Sequence, residues 1–343
     1  MASIARGAIV RAPTIRRTFS ASELMRRLII ASPHRYPDLA RLWYRVVSQH
    51  VAPAFEEAGL DVETVIFRDA KPETFLRGNY PKARLETVRP EVRDFIEFYD
   101  AALEYDADFV FFIDADVFLL DGAWAASYLS ALDDADNAGV SFLRRAATPG
   151  VYALLCKTGE YRGLPKPALA ATYERLDQWP NALNRGPGEN AVMALRQLGR
   201  GVLDANAEAP GRVSDFHGTT VIRASREMFA AEIGEEQFRA LLSRKRYFLM
   251  GAYDNILLGT LYERIFGETF APGINGEPLG GSLTIEALRR ILNDLEPGVL
   301  RNKMEDYFAR SNRAILRLAA AQGVKYEFPP VLPEHWPPQN VAA

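Results

Sequence analysis

Cysteine is almost missing from this chain of 343 residues: Cys156 stands alone. A single thiol excludes an intrachain disulfide and any cysteine-rich metal site; a reducing compartment fits but is not demanded. Set in the apolar run Val151-Tyr152-Ala153-Leu154-Leu155-Cys156, it reads as a core residue rather than a nucleophile. Long apolar runs are missing as well. None approaches the ~20 residues that span a bilayer, and no secretory hydrophobic region is visible. No charge of one sign is in excess, and a net charge of −3 carries no global footprint for nucleic acid or an anionic membrane surface. There is no Walker loop and no Gly-x-Gly-x-x-Gly, so P-loop nucleotidase and Rossmann dehydrogenase readings lack their phosphate cradle. No internal repeat appears. What remains is an ordinary globular composition, 48% hydrophobic and 25% charged, large enough for one domain or a catalytic domain with an appendage.

The chain is organised around Asp108-Phe109-Val110-Phe111-Phe112-Ile113-Asp114-Ala115-Asp116. The unbroken run from Phe109 to Ile113 is rich in β-formers and lacks alternation, which predicts a strand buried on both faces. Two carboxylates follow at its end with only Ala115 between them. Adjacent like charges at a strand end repel, and burying either without a partner is costly, so the pair calls for a cation. A hard divalent ion with oxygen ligands fits that need and also grips a phosphate. The alternative is a solvated Asp pair or a cap for the next helix. Phe118, Leu119 and Leu120, which rebury the chain at once, weigh against it.

Around this stretch the pattern alternates. Arg27–Ser32 reads as a first strand, ending in the turn Ser32-Pro33-His34-Arg35-Tyr36-Pro37. A long amphipathic helix from about Asp38, with Leu39, Leu42, Val46, Val47, Val51 and Phe55 on one face, should close at Gly59. Val62–Phe67 is the second strand, and strand–helix–strand implies a parallel sheet. Residues 77–89 read as loop, 90–105 as helix, 122–133 as helix, and Val140–Leu143 and Val151–Leu155 as strands. The Pro- and Gly-rich stretch 163–188 suits a surface loop or lid, with a helix around 168–177. A helix at 191–198, a strand at 201–206 and a last strand at 219–223 complete the sheet. Beyond Ala224 helices are expected at 226–233, 235–246, 253–266, 285–295 and 300–321, then an extended Pro-rich tail. The expected divisions are a basic disordered tail over 1–24, an α/β domain over 25–224, a helical region over 225–325 and the tail over 326–343. A transit peptide is the other reading of the Arg-bearing first residues; cytoplasmic is the default.

The segment Phe111-Phe112-Ile113-Asp114-Ala115-Asp116 resembles the Asp-x-Asp signature of nucleotide-sugar-dependent glycosyltransferases of the GT-A fold. The resemblance covers Arg27 to Arg223. It implies an α/β fold of GT-A type, Rossmann-like, with a mostly parallel central sheet flanked by helices, here with a C-terminal helical extension. It further implies that Asp114 and Asp116, with Ala115 between them, hold Mn²⁺ or Mg²⁺ against the diphosphate of a nucleotide-sugar donor. A late histidine should complete the metal shell, and His217 in Asp215-Phe216-His217-Gly218-Thr219 is the candidate. Its alternative is a loop histidine bonding backbone. A catalytic acid is expected near the acceptor. Glu189 in Gly186-Pro187-Gly188-Glu189-Asn190 matches, although Asn190 replaces the usual second acid, and Asp254 in Gly251-Ala252-Tyr253-Asp254-Asn255 is its rival. Either acid also suits a helix start with no catalytic part. The donor nucleotide should lie along the carboxyl ends of the first strands, at Ser32, His34 and Asp69, with Lys82 and Arg84 neutralising phosphate. Each of these is otherwise an ordinary surface residue.

The function so implied is metal-dependent sugar transfer to an unidentified acceptor, a glycan, lipid-linked glycan, small molecule or protein. Donor, stereochemistry, oligomeric state and the role of the C-terminal helices are left open. A haloacid-dehalogenase-like phosphohydrolase or phosphotransferase also carries D-x-D after a hydrophobic strand. It needs that pair after an early strand with a Gly-Thr-like continuation, and Val117-Phe118 stands there instead. A sugar-nucleotide pyrophosphorylase lacks its Gly-rich basic loop here. A non-catalytic nucleotide-sugar-binding protein fits if Glu189 is only a cap.

Overall fold

The structure is a computed structural model and describes residues 25–34, 36–68, 74–87, 97–143, 152–164, 188–216, 246–270 and 299–328. In chain order these form β1 (Arg27–His34), α1 (Pro37–Val46), a π turn (Val47–Val51), α2 (Ala52–Glu57), β2 (Asp61–Arg68) and β3 (Ala83–Thr87). Next come α3 (Glu97–Leu103), β4 (Phe109–Ile113), β5 (Val117–Leu119), α4 (Gly122–Ser127), α5 (Leu129–Leu132), β6 (Asn137–Leu143) and β7 (Ala153–Lys157). The rest are α6 (Thr158–Arg162), α7 (Glu189–Gln197), β8 (Gly201–Asp204), β9 (Val213–Asp215), α8 (Arg246–Phe266) and α9 (Val299–Ala321).

Seven strands make one sheet in the order β3-β2-β1-β4-β7-β6-β8, and β5 pairs with β9 in a separate two-stranded sheet. The pairs β3–β2, β2–β1, β1–β4 and β6–β8 are parallel; only β7 runs against its neighbours. The fold is therefore an α/β layered structure with a mostly parallel central sheet. Both faces of the middle strands are covered, which is why β4 is apolar at every position. Phe109, Phe111 and Ile113 enter a core with α1, α2, α4, α8 and α9, whereas Val110 and Phe112 enter a second core with α3, α6 and α7. Strand β1 divides in the same way, Leu28 and Ile30 to the first core and Ile29 and Ala31 to the second.

The structure departs from the sequence expectations locally, first in the β5–β9 pair, which no expected strand foresaw. β1 continues through Pro33 to His34 instead of turning at Ser32; Pro33 lies beyond Ala31↔Phe112, the last β1–β4 pair, and pairs with Phe67 of β2. Residues 77–89 are not all loop, since β3 adds a parallel edge strand along β2. Its solvent-facing Arg84 and Glu86 bond each other, so the strand shows no apolar run to read. The helix from Asp38 to Gly59 is one rod interrupted by the π turn just before Pro53, where the missing N–H and the ring forbid a regular turn. It closes as expected: Gly59 sits at φ 85°, Gly59 N–H bonds Glu56 O at 2.9 Å and Leu60 N–H bonds Phe55 O at 3.1 Å. The stretches 165–187, 217–245 and 271–298 lie outside the described residues, and with them the expected lid, last strand and three of the C-terminal helices.

The two long C-terminal helices pack into the same core as the sheet. Leu257, Leu258 and Leu261 of α8 and Phe308, Ile315 and Leu318 of α9 belong to one buried cluster with Leu28 and Phe111. Ser214 Oγ of β9 donates to Ala314 O of α9 at 2.9 Å, and Tyr326 OH donates to Leu257 O at 3.0 Å. Among the described residues no helix is long and apolar enough to cross a membrane.

Gly122 opens α4 directly against the π turn. A Cβ there would meet His50 O at 2.0 Å and Val51 Cα at 2.8 Å, both backbone atoms that cannot swing aside. Gly122→Ala is expected to cost about 3 kcal/mol or more by overpacking, read as a lowered urea midpoint. Gly78→Ala, with open space around the added methyl, should stay within about 0.5 kcal/mol of wild type.

Candidate active site at the carboxyl edge of the sheet

The end of β4 is held by a turn. Asp114 N–H donates to Tyr152 O at 2.9 Å, and Val117 N–H returns to Asp114 O at 3.1 Å. This turn carries Asp114 half-buried, with Ala115 and Asp116 buried at 5% and 2% exposure. β5 then pairs antiparallel with β9, Val117 opposite Asp215, and Phe216 N–H donates to Asp116 O at 3.0 Å. The two-stranded sheet thereby brings Asp215 to the same end as Asp116. The sequence gives Asp215 no sign of a part of its own, because the β5–β9 pairing has no local signal.

A third acid arrives from the C-terminal helices. Asp254 of α8 has no exposed surface, and Tyr307 OH of α9 donates to its Oδ2. Burial lifts the Asp254 carboxyl well above the usual carboxylate range, and the charges of Asp215 and Asp116 add to the lift. The hydroxyls of Tyr307 and Ser311 pull the other way. Tyr307 itself is raised by burial first and by Asp254 second. Nothing in the sequence of α9 marks Tyr307 as more than a core aromatic.

These carboxylates suit a hard divalent cation by donor type. Among the described residues no three His, Cys, Asp or Glu side chains converge into a complete ligand set. An ion held here by one or two carboxylates would take the rest of its shell from water, from a ligand's phosphates or from residues beyond the described set, as Mg²⁺ commonly does. His217 and Asp69 lie outside the described residues, and of Glu189 only its place is described, the first residue of α7 behind Gly188 at φ 80°.

The neighbouring strand end holds a second group of polar side chains. With Ala31 opposite Phe112, β1 delivers Ser32 and His34 beside the start of the Asp114 turn. They point inward rather than along the rim. Both are buried, and His34 packs against Trp43 of α1 with ring centroids 5.1 Å apart. Among the described residues Ser32 Oγ, both His34 ring nitrogens and Trp43 Nε1 find no hydrogen-bond partner. Burial depresses the His34 pKa to about 3, so its imidazole is neutral at pH 7. Lys82 is exposed, and its backbone N–H donates to Tyr44 OH at 3.0 Å. Arg84 lies within β3, level with Val65 of β2 rather than at the carboxyl edge, and its guanidinium bonds Glu86 and stands 3.9 Å from Glu63. The structure does not bring Arg84 to the Asp114–Asp116 turn.

No family model matches the chain, and no curated protein matches its sequence. Solved structures similar to it include glucosyl-3-phosphoglycerate synthase from Mycobacterium tuberculosis with Mn²⁺ and UDP-glucose, at 14% identity and TM-score 0.37, covering 55% of this chain and 73% of that one. A mannosyltransferase from Pyrobaculum calidifontis, in complex with GDP-mannose and Mn²⁺, is 13% identical at TM-score 0.38 over 87% of this chain and 76% of that one. The glycosyltransferase GlyE of Streptococcus pneumoniae is 8% identical at TM-score 0.38, and the chain spans 50% of its length. Superpositions this loose establish no residue correspondence; the α/β assignment rests on the strand order above.

The orphaned imidazole has a consequence for stability. Unfolded, His34 takes a proton near its ordinary pKa of 6.5; folded, only near 3. The unfolded state therefore binds more protons between those values, so this contribution is fully present above pH 6.5 and shrinks as pH falls, by at most ~1.4 kcal/mol per unit. In urea melts from pH 7 to 4, wild type should lose stability more steeply than His34→Gln, which has no proton to take. Parallel slopes would mean that His34 is charged or solvated in the folded protein.

Proposed function

We propose that this chain is a metal-dependent glycosyltransferase that moves a sugar from a nucleotide diphosphate to an acceptor hydroxyl. One observation carries the reading: the Asp114-Ala115-Asp116 turn closes the central strand β4, with Asp116 buried and Asp215 at the same end of the β5–β9 pair. Open α/β sheets take ligands at that edge, and carboxylates concentrated there serve a diphosphate through a divalent ion rather than by direct contact. When bound, Mn²⁺ or Mg²⁺ supplies Lewis-acid stabilisation of the departing diphosphate.

The chain's own groups then have separate tasks. Asp114 and Asp116 hold the ion, with His217 a candidate to complete its shell. Ser32 and His34, buried next to the Asp114 turn, back the edge from beneath, and Asp69 and Lys82 from the neighbouring strand ends are the candidates to meet the nucleoside end of the donor. The bond from the sugar's anomeric carbon to the diphosphate breaks as the bond to the acceptor oxygen forms, and the hydroxyl proton must leave. Glu189, at the first turn of α7, is the group assigned to take it in an inverting course, a step worth about 10²–10⁴-fold. Asp254 does not suit that task, being fully buried and bonded by Tyr307.

The test uses a panel of nucleotide sugars with Mn²⁺, scored for slow donor hydrolysis and for a rise in melting temperature, since ligand that prefers the folded form stabilises it. Wild type should respond to one donor class. Asp116→Asn should lose hydrolysis by at least about 10³-fold, of the order that removal of one stabilising group costs, while melting within a few degrees of wild type. Full turnover in Asp116→Asn at saturating donor and Mn²⁺ would reject the assignment, and donor binding without turnover would mark a binding protein.

A further inference from the structure

Polar atoms of three side chains are orphaned together beneath the end of β1. Among the described residues Ser32 Oγ, both ring nitrogens of His34 and Trp43 Nε1 find no hydrogen-bond partner. Bulk solvent does not reach them: Ser32 and Trp43 have no exposure and His34 has 1%. Buried donors and acceptors left unmade cost a fold stability, and native proteins keep few of them. These sit side by side. Ser32 and His34 alternate along β1 and so share one face, the face of Leu28 and Ile30, whose cluster also holds Trp43 of α1. The His34 and Trp43 rings are tilted at 59° with centroids 5.1 Å apart. The β1–β4 register ends at Ala31↔Phe112, so this last stretch of β1 pairs with β2 alone.

The chemistry of the set selects its partner. A neutral imidazole offers one N–H and one bare nitrogen, a serine hydroxyl both donates and accepts, and an indole only donates. The three groups carry no charge, so an ion placed among them would leave water without gaining a counter-charge from the set. A small neutral molecule that donates and accepts fits all three. We propose that Ser32, His34 and Trp43 form an internal water-binding site that ties the end of β1 to α1 beneath the sheet edge. One water donates to the bare imidazole nitrogen and to Ser32 Oγ and accepts from Trp43 Nε1, which is the usual number of bonds for a buried water. The two imidazole nitrogens point in different directions, so the second takes a water of its own. A held water bonds the ring without surrounding it with bulk solvent, so the imidazole stays neutral. The site stands whether or not the chain transfers sugar.

The experiment is NMR on the full chain, read at one proton. Trp43→Phe identifies the Trp43 indole N–H among the four tryptophans, and water-selective NOE and ROE spectra of wild type are then taken there. Because Trp43 has no exposure, its indole proton meets water only where water is held inside. The expected result is a water cross-peak with NOE and ROE of opposite sign, as a bound water gives. No cross-peak overturns the proposal, and so does one of the same sign in both spectra, which marks proton exchange during opening of the fold. A second measurement follows Ser32→Ala in urea. Removing a hydroxyl bonded to a held water should lower the midpoint, whereas removing a dry orphan relieves the fold and raises it. A raised midpoint therefore overturns the proposal as well. Should either variant fail to fold, the other measurement decides alone.

Discussion

Like charge gathered in a low-dielectric corner is the constraint on which this structure depends. Asp116 and Asp215 share one end of the β5–β9 sheet, and Asp254 of α8, wholly buried, feels the charge of both. Each acid raises the cost of ionising the next, as the combined effect of Asp215 and Asp116 on Asp254 shows. A chain selected for stability alone would fill such a corner with apolar side chains, since buried charge is weak evidence of stabilisation. The apolar surround here is ample: Phe118 and Phe216 meet edge-on at 5.7 Å, and Tyr253 lies 4.0 Å from Phe308. Acids remain in spite of it.

That surround also explains why α8 and α9 are joined to the sheet rather than hung from it. The face of β1 and β4 that carries Leu28, Phe111 and Ile113 is too broad for α1 and α2 to cover alone, and the two long helices share it. Covering the face brings polar groups as well: Tyr307 to Asp254, Asn312 to Tyr253, and the Ala314 carbonyl to Ser214. Packing and polar placement are thus one event, and displacement of α9 would disturb both.

Legibility in the sequence followed burial symmetry. β4 was readable because a strand covered on both faces must be apolar throughout, and the Asp pair at its end stood out against that background. The α1–α2 rod was readable from its periodicity and from Gly59, but not the π turn, since Pro53 signals a break without specifying how the ladder is repaired. β3 was hidden because an edge strand whose Arg84 and Glu86 bond each other has the composition of a loop. Asp215 and Tyr307 were invisible as site residues for a different reason: their significance comes from pairings between segments far apart in the chain, Ser214 with Ala314 at 100 residues and Asp254 with Tyr307 at 53. Periodicity and motif report only what is near in the chain.

Some of the residues that break local rules lie close together: Ser32 Oγ, the His34 ring and Trp43 Nε1 are orphaned beneath the end of β1, while Asp254 Oδ1 of α8, Thr158 Oγ1, Tyr161 OH and Arg317 Nε are orphaned elsewhere. Ser32 and His34 share their side of the sheet with Asp254's helix, since Leu28, Ile30 and Trp43 belong to the cluster that holds Leu257 and Phe308. Buried polar groups without partners are few in native proteins, and each asks for an explanation such as an ion, a water or a strained functional group. On the glycosyltransferase reading proposed above, the neutral polar group at the end of β1 lies toward the donor's uncharged ring system and the acids of the Asp114 turn toward its diphosphate and counter-ion. Buried polar groups kept along one sheet edge cost stability there, the pattern expected where a sequence serves a ligand rather than its own fold.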